Sequence, residues 1–285
     1  MKSTYIFPVL LTVASAYQYG SGSGLDNTFQ AYNQKPNATG SVSLVGVDMT
    51  SNSSSGGQPR DWTAAVNVTD VPVSEGVRTN TVISFDAKGA FEANSTSWTT
   101  CVMIMHDVAR NATENGQKDT GDCVATFGQQ CKADWMDRVN VAFANAINQG
   151  SEDPCSSIST PQIPFSCTGL FTTDSVTGSI EANYTMGSAW WYAAESPPFH
   201  QASNFTAYET AATRIWPVFL MQGNNETTTY STQMSCLRAK TATQGSHEIG
   251  DVPGGGSRIE DVWWSLAAVF AVMGFFDLEL PRHRV

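Results

Sequence analysis

Six cysteines limit what this chain can fold into: Cys101, Cys123, Cys131, Cys155, Cys167 and Cys236. They lie downstream of "MKSTYIFPVLLTVASA", which has one lysine, an apolar run from Tyr5 to Val13 and the small-residue triplet Ala14-Ser15-Ala16. That order is the order of a secretory signal and its cleavage site. Residues 1–16 are therefore set apart as a signal peptide, and the mature chain is expected to begin at Tyr17. An even number of thiols sent to an oxidising compartment should pair, here as three disulfides. The pairing itself stays open. A short closure such as Cys155 to Cys167 is one candidate, and a loop of that length would contribute about 3 kcal/mol by restricting the unfolded chain. There is no Cys-x-x-Cys and no histidine at zinc-ligand spacing, so neither a metal site nor a cofactor is expected.

Most of the body reads as short strands. In "WTAAVNV" the residues Trp62, Ala64, Val66 and Val68 fall on one face at a period of two. The runs "NTVISFDA", "WTTCVMIMHDV", "RIWPVFLM" and "TYSTQMSCL" are rich in β-formers and bounded by Gly, Asn, Ser and Pro. "TSNSSSGGQPRD" and "RNATENGQKDTGD" read as loops. One segment has a helical period instead. Trp135, Val139, Ala142, Phe143, Ala146 and Ile147 form a stripe over residues 134–149, with Asp134 as a candidate cap and Gly150 after the end. The expected fold is mainly β and sandwich-like, stabilised by disulfides, with one packed amphipathic helix near 134–149 whose stripe faces a sheet.

Eight Asn-x-Ser/Thr sequons follow the leader, at Asn37, Asn52, Asn67, Asn94, Asn111, Asn183, Asn204 and Asn225. A chain so marked in the secretory route is expected to be a glycoprotein, each occupied asparagine facing solvent. No sequon lies between Asn111 and Asn183, where four of the six cysteines fall. That stretch is read as interior and disulfide-rich loops, the other reading being an uncovered interaction face. The chain carries 15 Lys and Arg against 26 Asp and Glu, a net charge of −11. This balance argues against nucleic acid and against an anionic membrane surface as partners.

The C-terminal end has its own organisation. After a glycosylated extracellular domain over 17–245, a flexible linker is expected over 246–261, containing Gly254-Gly255-Gly256. An apolar tail follows over 262–276, and a short polar end over 277–285. As a helix the tail would cover roughly 22 Å of a roughly 30 Å hydrocarbon layer. It reads as a membrane span, as a signal exchanged for a lipid anchor, or as a packed segment. The first two tether the body through its tail to a membrane or wall.

Catalytic motifs are few. Asp119-Thr120-Gly121 is the aspartic-protease triplet, but polar residues precede it and no second copy exists. Gly-x-Ser-x-Gly, His-Glu-x-x-His and a phosphate loop are absent from the sequence. His106 and Asp107 are adjacent and would point to opposite sides of a strand, which fits a polar pair at a strand end. Glu114, Asn115, Asp119 and Asp122 could supply oxygens to calcium, but without the spacing of a known loop they read as a solvated turn. "SAWWYAAESPPFH" is the most suggestive stretch. Trp190, Trp191 and Tyr192 lie near Glu195 and His200, a grouping whose alternate aromatics suit burial in a core and which could instead stack on and hydrogen-bond to a sugar. No catalytic residue is assigned.

The leader, the "GDC…C" spacing at Gly121, Asp122, Cys123 and Cys131, the dense sequons and the "GGGS" linker before an apolar tail together resemble secreted or surface-anchored cysteine-containing glycoproteins of filamentous fungi. That group has no assigned activity, so the resemblance implies location and no catalytic residue. The polar extension after Phe276 departs from its usual ending. The expected function is a non-catalytic extracellular glycoprotein with a structural or recognition role. Its partners would be a cell-wall polysaccharide or another surface protein. The alternative is a carbohydrate-binding or carbohydrate-active protein using residues 190–200.

Overall fold

The computed structural model describes residues 18–22, 33, 35–48, 59–87, 98–150, 153–158, 160–171, 175–180, 190–195, 199–224, 226 and 228–253, with 18–22 and 190–195 described by their backbone. In chain order the strands are β1 (Gln18–Gly22), β2 (Ala38–Val47), β3 (Pro59–Val73), β4 (Gly76–Asp86), β5 (Trp98–Met105), β6 (Ser175–Ser179), β7 (Trp190–Glu195), β8 (Trp216–Asn224), β9 (Thr229–Leu237) and β10 (Thr241–Ala242). The helices are α1 (Arg110–Gly116), α2 (Val124–Phe127), α3 (Gln129–Asn148) and α4 (Thr206–Thr213). The strands form two sheets, a six-stranded one in the order β1-β7-β4-β3-β2-β10 and a four-stranded one in the order β6-β5-β8-β9. All pairings between strands are antiparallel.

The chain is mainly β, as its alternation predicts. Trp62, Ala64, Val66 and Val68 are all fully buried on the inner face of the large sheet. The small sheet differs from a half-solvated antiparallel sheet, because it is covered on both sides. β8 is buried along all nine residues. Its Trp216, Val218 and Leu220, with Val102 and Ile104 of β5, meet the inner face of the large sheet. The alternate residues Phe219, Met221, Cys101, Met103 and Met105 meet α3 on the other side. A strand sandwiched between two layers must be apolar at every position, which is why "WPVFLM" shows no polar alternation. The architecture is thus large sheet, small sheet and helix layer.

All six cysteines sit in the helix-side core. Cys101 of β5 pairs with Cys155 after α3, Cys123 before α2 pairs with Cys236 of β9, and Cys131 of α3 pairs with Cys167. The short Cys155–Cys167 closure is therefore corrected: both cysteines reach across to the sheet or the helix. Two of the bonds fasten the helix layer to the small sheet. The third ties α3 to the 3-10 turn Phe165–Cys167.

The helix itself is longer than its stripe suggested. Trp135, Val139, Phe143, Ala146 and Ile147 are buried as expected, but α3 starts at Gln129 and has Cys131 on the same face. Gly128, not Asp134, stands at its N-cap. The Asp134 carboxylate accepts from Gln130 Nε2 at 2.7 Å and Ser166 Oγ at 2.6 Å instead. One packed helix also becomes four described helices. The polar "RNATENG" is helical where a loop was expected, because Ala112 and Gly116 are buried against the core and Arg110 pairs with Glu114 one turn later at 2.7 Å. Residues 246–253, assigned to the linker, lie against the body. Asn37 Nδ2 donates to Ser246 Oγ at 3.2 Å, Ile249 packs on the inter-sheet core, and the His247 and Phe205 rings stack with centroids 3.9 Å apart. The apolar tail over 262–276 lies outside the described residues. Among the described residues no helix is long and apolar enough to cross a membrane.

Gly40 of β2 gives a test of the packing. A Cβ there would fall 1.8 Å from the backbone carbonyl oxygen of Arg238, an atom that cannot rotate away. Gly40→Ala is expected to destabilise the domain by about 2 kcal/mol, read as a lower denaturation midpoint at unchanged slope in urea titration.

Candidate functional site

The two sheets meet along one seam where β2 and β9, each at or near an edge, come together. β10 covers β2 only at Ala38 and Thr39. Beyond that point the edge is open. Lys240 N–H donates to Thr39 O at 2.8 Å, and Val45 N–H donates to Gln233 Oε1 at 2.7 Å, so the odd-numbered residues of β2 turn their backbone groups away from β3. By the alternation of a strand, the N–H and C=O of Ser41 and Ser43 point the same way. On β9 the Cys236 N–H donates outward to Gly121 O at 2.9 Å, which puts Met234 in the same outward phase. Between the two edges lies a cleft of about 500 Å³. Val42 and Met234 contribute apolar surface, Ser41, Ser43, Gln233 and Ser235 line the strands, and Lys132 and Met136 of α3 and the turn Thr120-Gly121-Asp122 complete the lining.

That turn is built around one buried carboxylate. Asp119 accepts from Gly121 N–H at 2.7 Å, Cys123 N–H at 3.0 Å, Thr126 N–H at 3.0 Å and Thr126 Oγ1 at 2.8 Å. Burial pushes its carboxyl up, but these donors to the ionised form outweigh burial and hold it below its ordinary value. The bonds support a contorted backbone, with Gly121 at φ +116° and Cys123 in the left-handed region at φ 65°. Gly121 permits its conformation at no steric cost, whereas Cys123 does not. The Cys123–Cys236 bond and the Gly121 carbonyl then tie the turn to β9. Nearby, burial lowers Arg238 and the Asp119 charge opposes that shift.

The residues singled out from sequence fall elsewhere. Trp190, Trp191, Tyr192 and Glu195 form β7, an inner strand of the large sheet between β1 and β4, and their side chains lie outside the described residues. His200 is joined by an isolated bridge to Val77. Its Nε2 lies 3.0 Å from Thr79 Oγ1 and its Nδ1 3.1 Å from Gln201 O, so both ring nitrogens face oxygen partners. Thr79 Oγ1 in turn donates to Asp70 Oδ1 at 2.7 Å. This network lies near Tyr208, whose hydroxyl is raised to about 12 by burial and by the charges of Asp70 and Glu248. Tyr208 donates to His247 O at 2.8 Å, while His247 Nε2 faces Glu209 Oε1 at 3.0 Å. These groups hold the 246–253 segment to α4.

His106 is buried after β5, and exposed Asp107 pairs with Arg214 at 3.3 Å, a polar pair at a strand end. Glu114 pairs with Arg110, and Asp119 is enclosed by its own turn, so the acidic residues at 114–122 do not converge. Among the described residues no cluster of His, Cys, Asp and Glu has the geometry of a metal site. Of the sequons, Asn111 and Asn204 are exposed, with their Oδ1 atoms accepting local backbone N–H groups. Asn37 and Asn67 are half-buried, and their Nδ2 atoms donate to Ser246 Oγ and Asn33 Oδ1. Asn52, Asn94, Asn183 and Asn225 lie outside the described residues.

Comparison of the chain with protein-family models, with curated proteins and with solved structures finds no match. The function must be argued from the site. The described cleft lining has hydroxyls, an amide, one carboxylate and one ammonium, and it has no histidine or thiol to activate them. Asp122 Oδ1 already accepts Val124 N–H at 3.0 Å.

The Asp119 carboxylate provides a pH test. A carboxyl held below its ordinary value stabilises the fold fully above pH 3.8, its ordinary value, and that contribution is lost as pH falls through the lower folded value. Asp119→Asn, which replaces an acceptor oxygen by a donor facing N–H groups, is expected to cost about 3 kcal/mol at pH 7. It should also flatten the acid limb of stability below pH 4, as read by urea denaturation across pH.

Proposed function

We propose that this chain is a non-catalytic extracellular glycoprotein, held at a cell surface or wall through its C-terminal segment, with a recognition role. The observation that carries the reading is the set of three disulfides in one core, with no free cysteine among the described residues. Bonds of this kind belong to an extracellular or secretory environment. Two of them also have a clear task, since they add covalent links to a helix layer otherwise held to the small sheet by apolar contact and a few hydrogen bonds, such as Tyr230 to Asn148 and Thr232 to Asn140. The ionisable groups with short contacts support a binding rather than a catalytic reading. Asp119 closes a turn, Arg214 bridges Asp107 and lies over the Trp216 ring at 4.1 Å, and Glu209 holds His247.

Expressed with its leader in a eukaryotic secretory host, the protein should reach the cell surface with its N-terminus at Tyr17. It should show no thiol titratable under denaturing conditions before reduction, and glycan on Asn111 and Asn204 by peptide mass spectrometry. An intact leader with six free thiols in a cytosolic product would end this reading. Separately, retention of wild type but not of Trp191→Ala on an insoluble wall polysaccharide would favour the carbohydrate alternative, and equal behaviour of the two proteins would remove it.

A further inference from the structure

The open seam between β2 and β9 is a place where a strand is missing. We propose that it binds an extended peptide segment of another protein by strand addition to β2, and that the segment carries a carboxylate side chain. The proposal names a partner class for the recognition role above and rests on that reading.

Several observations converge on this occupant. The outward N–H and C=O groups of Ser41 and Ser43 make a short row of donors and acceptors at the two-residue repeat of a strand, beyond the point where β10 stops. The Val45 N–H, next in that row, is already taken by the Gln233 side chain, which marks where the added strand would end. Edge strands usually carry guards, such as charges, proline or a bulge. The sequence of β2, "ATGSVSLVGV", has neither charge nor proline, and its register with β3 runs unbroken from Ala38 to Val47. β9, "TYSTQMSCL", has neither charge nor proline. The small exposed side chains of Ser41 and Ser43 leave the approach clear.

Charge selects the partner. In a chain with 26 acidic and 15 basic residues, this cleft gathers Lys132 in its lining and Lys240 at its end, the latter with Nζ 3.5 Å from Thr120 O. The carboxylate there, Asp122, already accepts a backbone N–H. A second copy of this chain pairing through its own β2 would bring no carboxylate to these lysines, which favours a different acidic strand. An oligosaccharide is less well matched, because the described lining offers no aromatic ring for stacking.

The test uses the full secreted protein and short synthetic peptides of alternating threonine and valine with glutamate, glutamine or lysine at the centre. Wild type is expected to bind the glutamate peptide about tenfold more tightly than the lysine peptide, a difference of one charge pair in a half-enclosed site. Binding should slow hydrogen exchange at the Ser41 and Ser43 amides. Ser43→Pro removes an outward donor and leaves the β2–β3 ladder intact, so it should abolish binding without shifting the melting temperature. Lys132→Glu is an independent probe and should reverse the peptide preference. Absence of binding by wild type to all three peptides would overturn the proposal, as would a folded Ser43→Pro that binds like wild type. A dimer of wild type that Ser43→Pro dissolves would assign the edge to a second copy instead. Polysaccharide retention lost in Ser43→Pro would assign it to a sugar. The thiol and leader measurements above read the secretory assignment independently of any of these results.

Discussion

The small sheet is covered on both faces, and much of the structure follows from that constraint. Its β5 and β8 send alternate side chains to the large sheet and to α3, so neither strand has a face left for solvent. A second cover must therefore be held in place. Apolar contact from Trp135, Val139 and Phe143 supplies part of the hold, hydrogen bonds from Tyr230 and Thr232 of β9 to Asn148 and Asn140 add to it, and the Cys101–Cys155 and Cys123–Cys236 bonds link chain segments far apart in sequence. The large sheet needs no such fastening, because its inner face meets the small sheet directly.

The Asp119 turn connects this layering to the surface. One carboxylate gathers the N–H groups of residues 121, 123 and 126, and so holds Cys123 in a backbone conformation that a cysteine adopts only under constraint. That conformation places Cys123 against Cys236 and the Gly121 carbonyl against β9. The same turn then lines one part of the cleft with Thr120, Gly121 and Asp122. Core and cleft thus share a single structural element.

Several parts of this arrangement were legible in the chain. The fully buried face Trp62-Ala64-Val66-Val68 follows from a period of two, and the buried stripe of α3 from a period of 3.6. The helical α1 was hidden by its polar composition, since its stability comes from contacts made by Ala112 and Gly116 with distant residues. β2 was missed because glycine and serine mask it. The alternation of Val42 and Leu44 with exposed Ser41, Ser43 and Val45 is the signal that could have found it. The aromatic segment 190–195 drew attention by composition, yet it forms an inner strand, and the cleft lies at the opposite side of that sheet's strand order.

Local sequence was sufficient where a pattern repeats within one element, as in the buried face of β3 and the buried stripe of α3, and the even cysteine count called for three bonds. Tertiary structure alone decided which cysteines meet, which asparagines are exposed and where an edge is left open. Those outcomes depend on residues separated by tens to more than a hundred positions, such as Cys123 and Cys236, 113 apart. Periodicity records which face of an element is buried, but it carries no information about which other element will cover it.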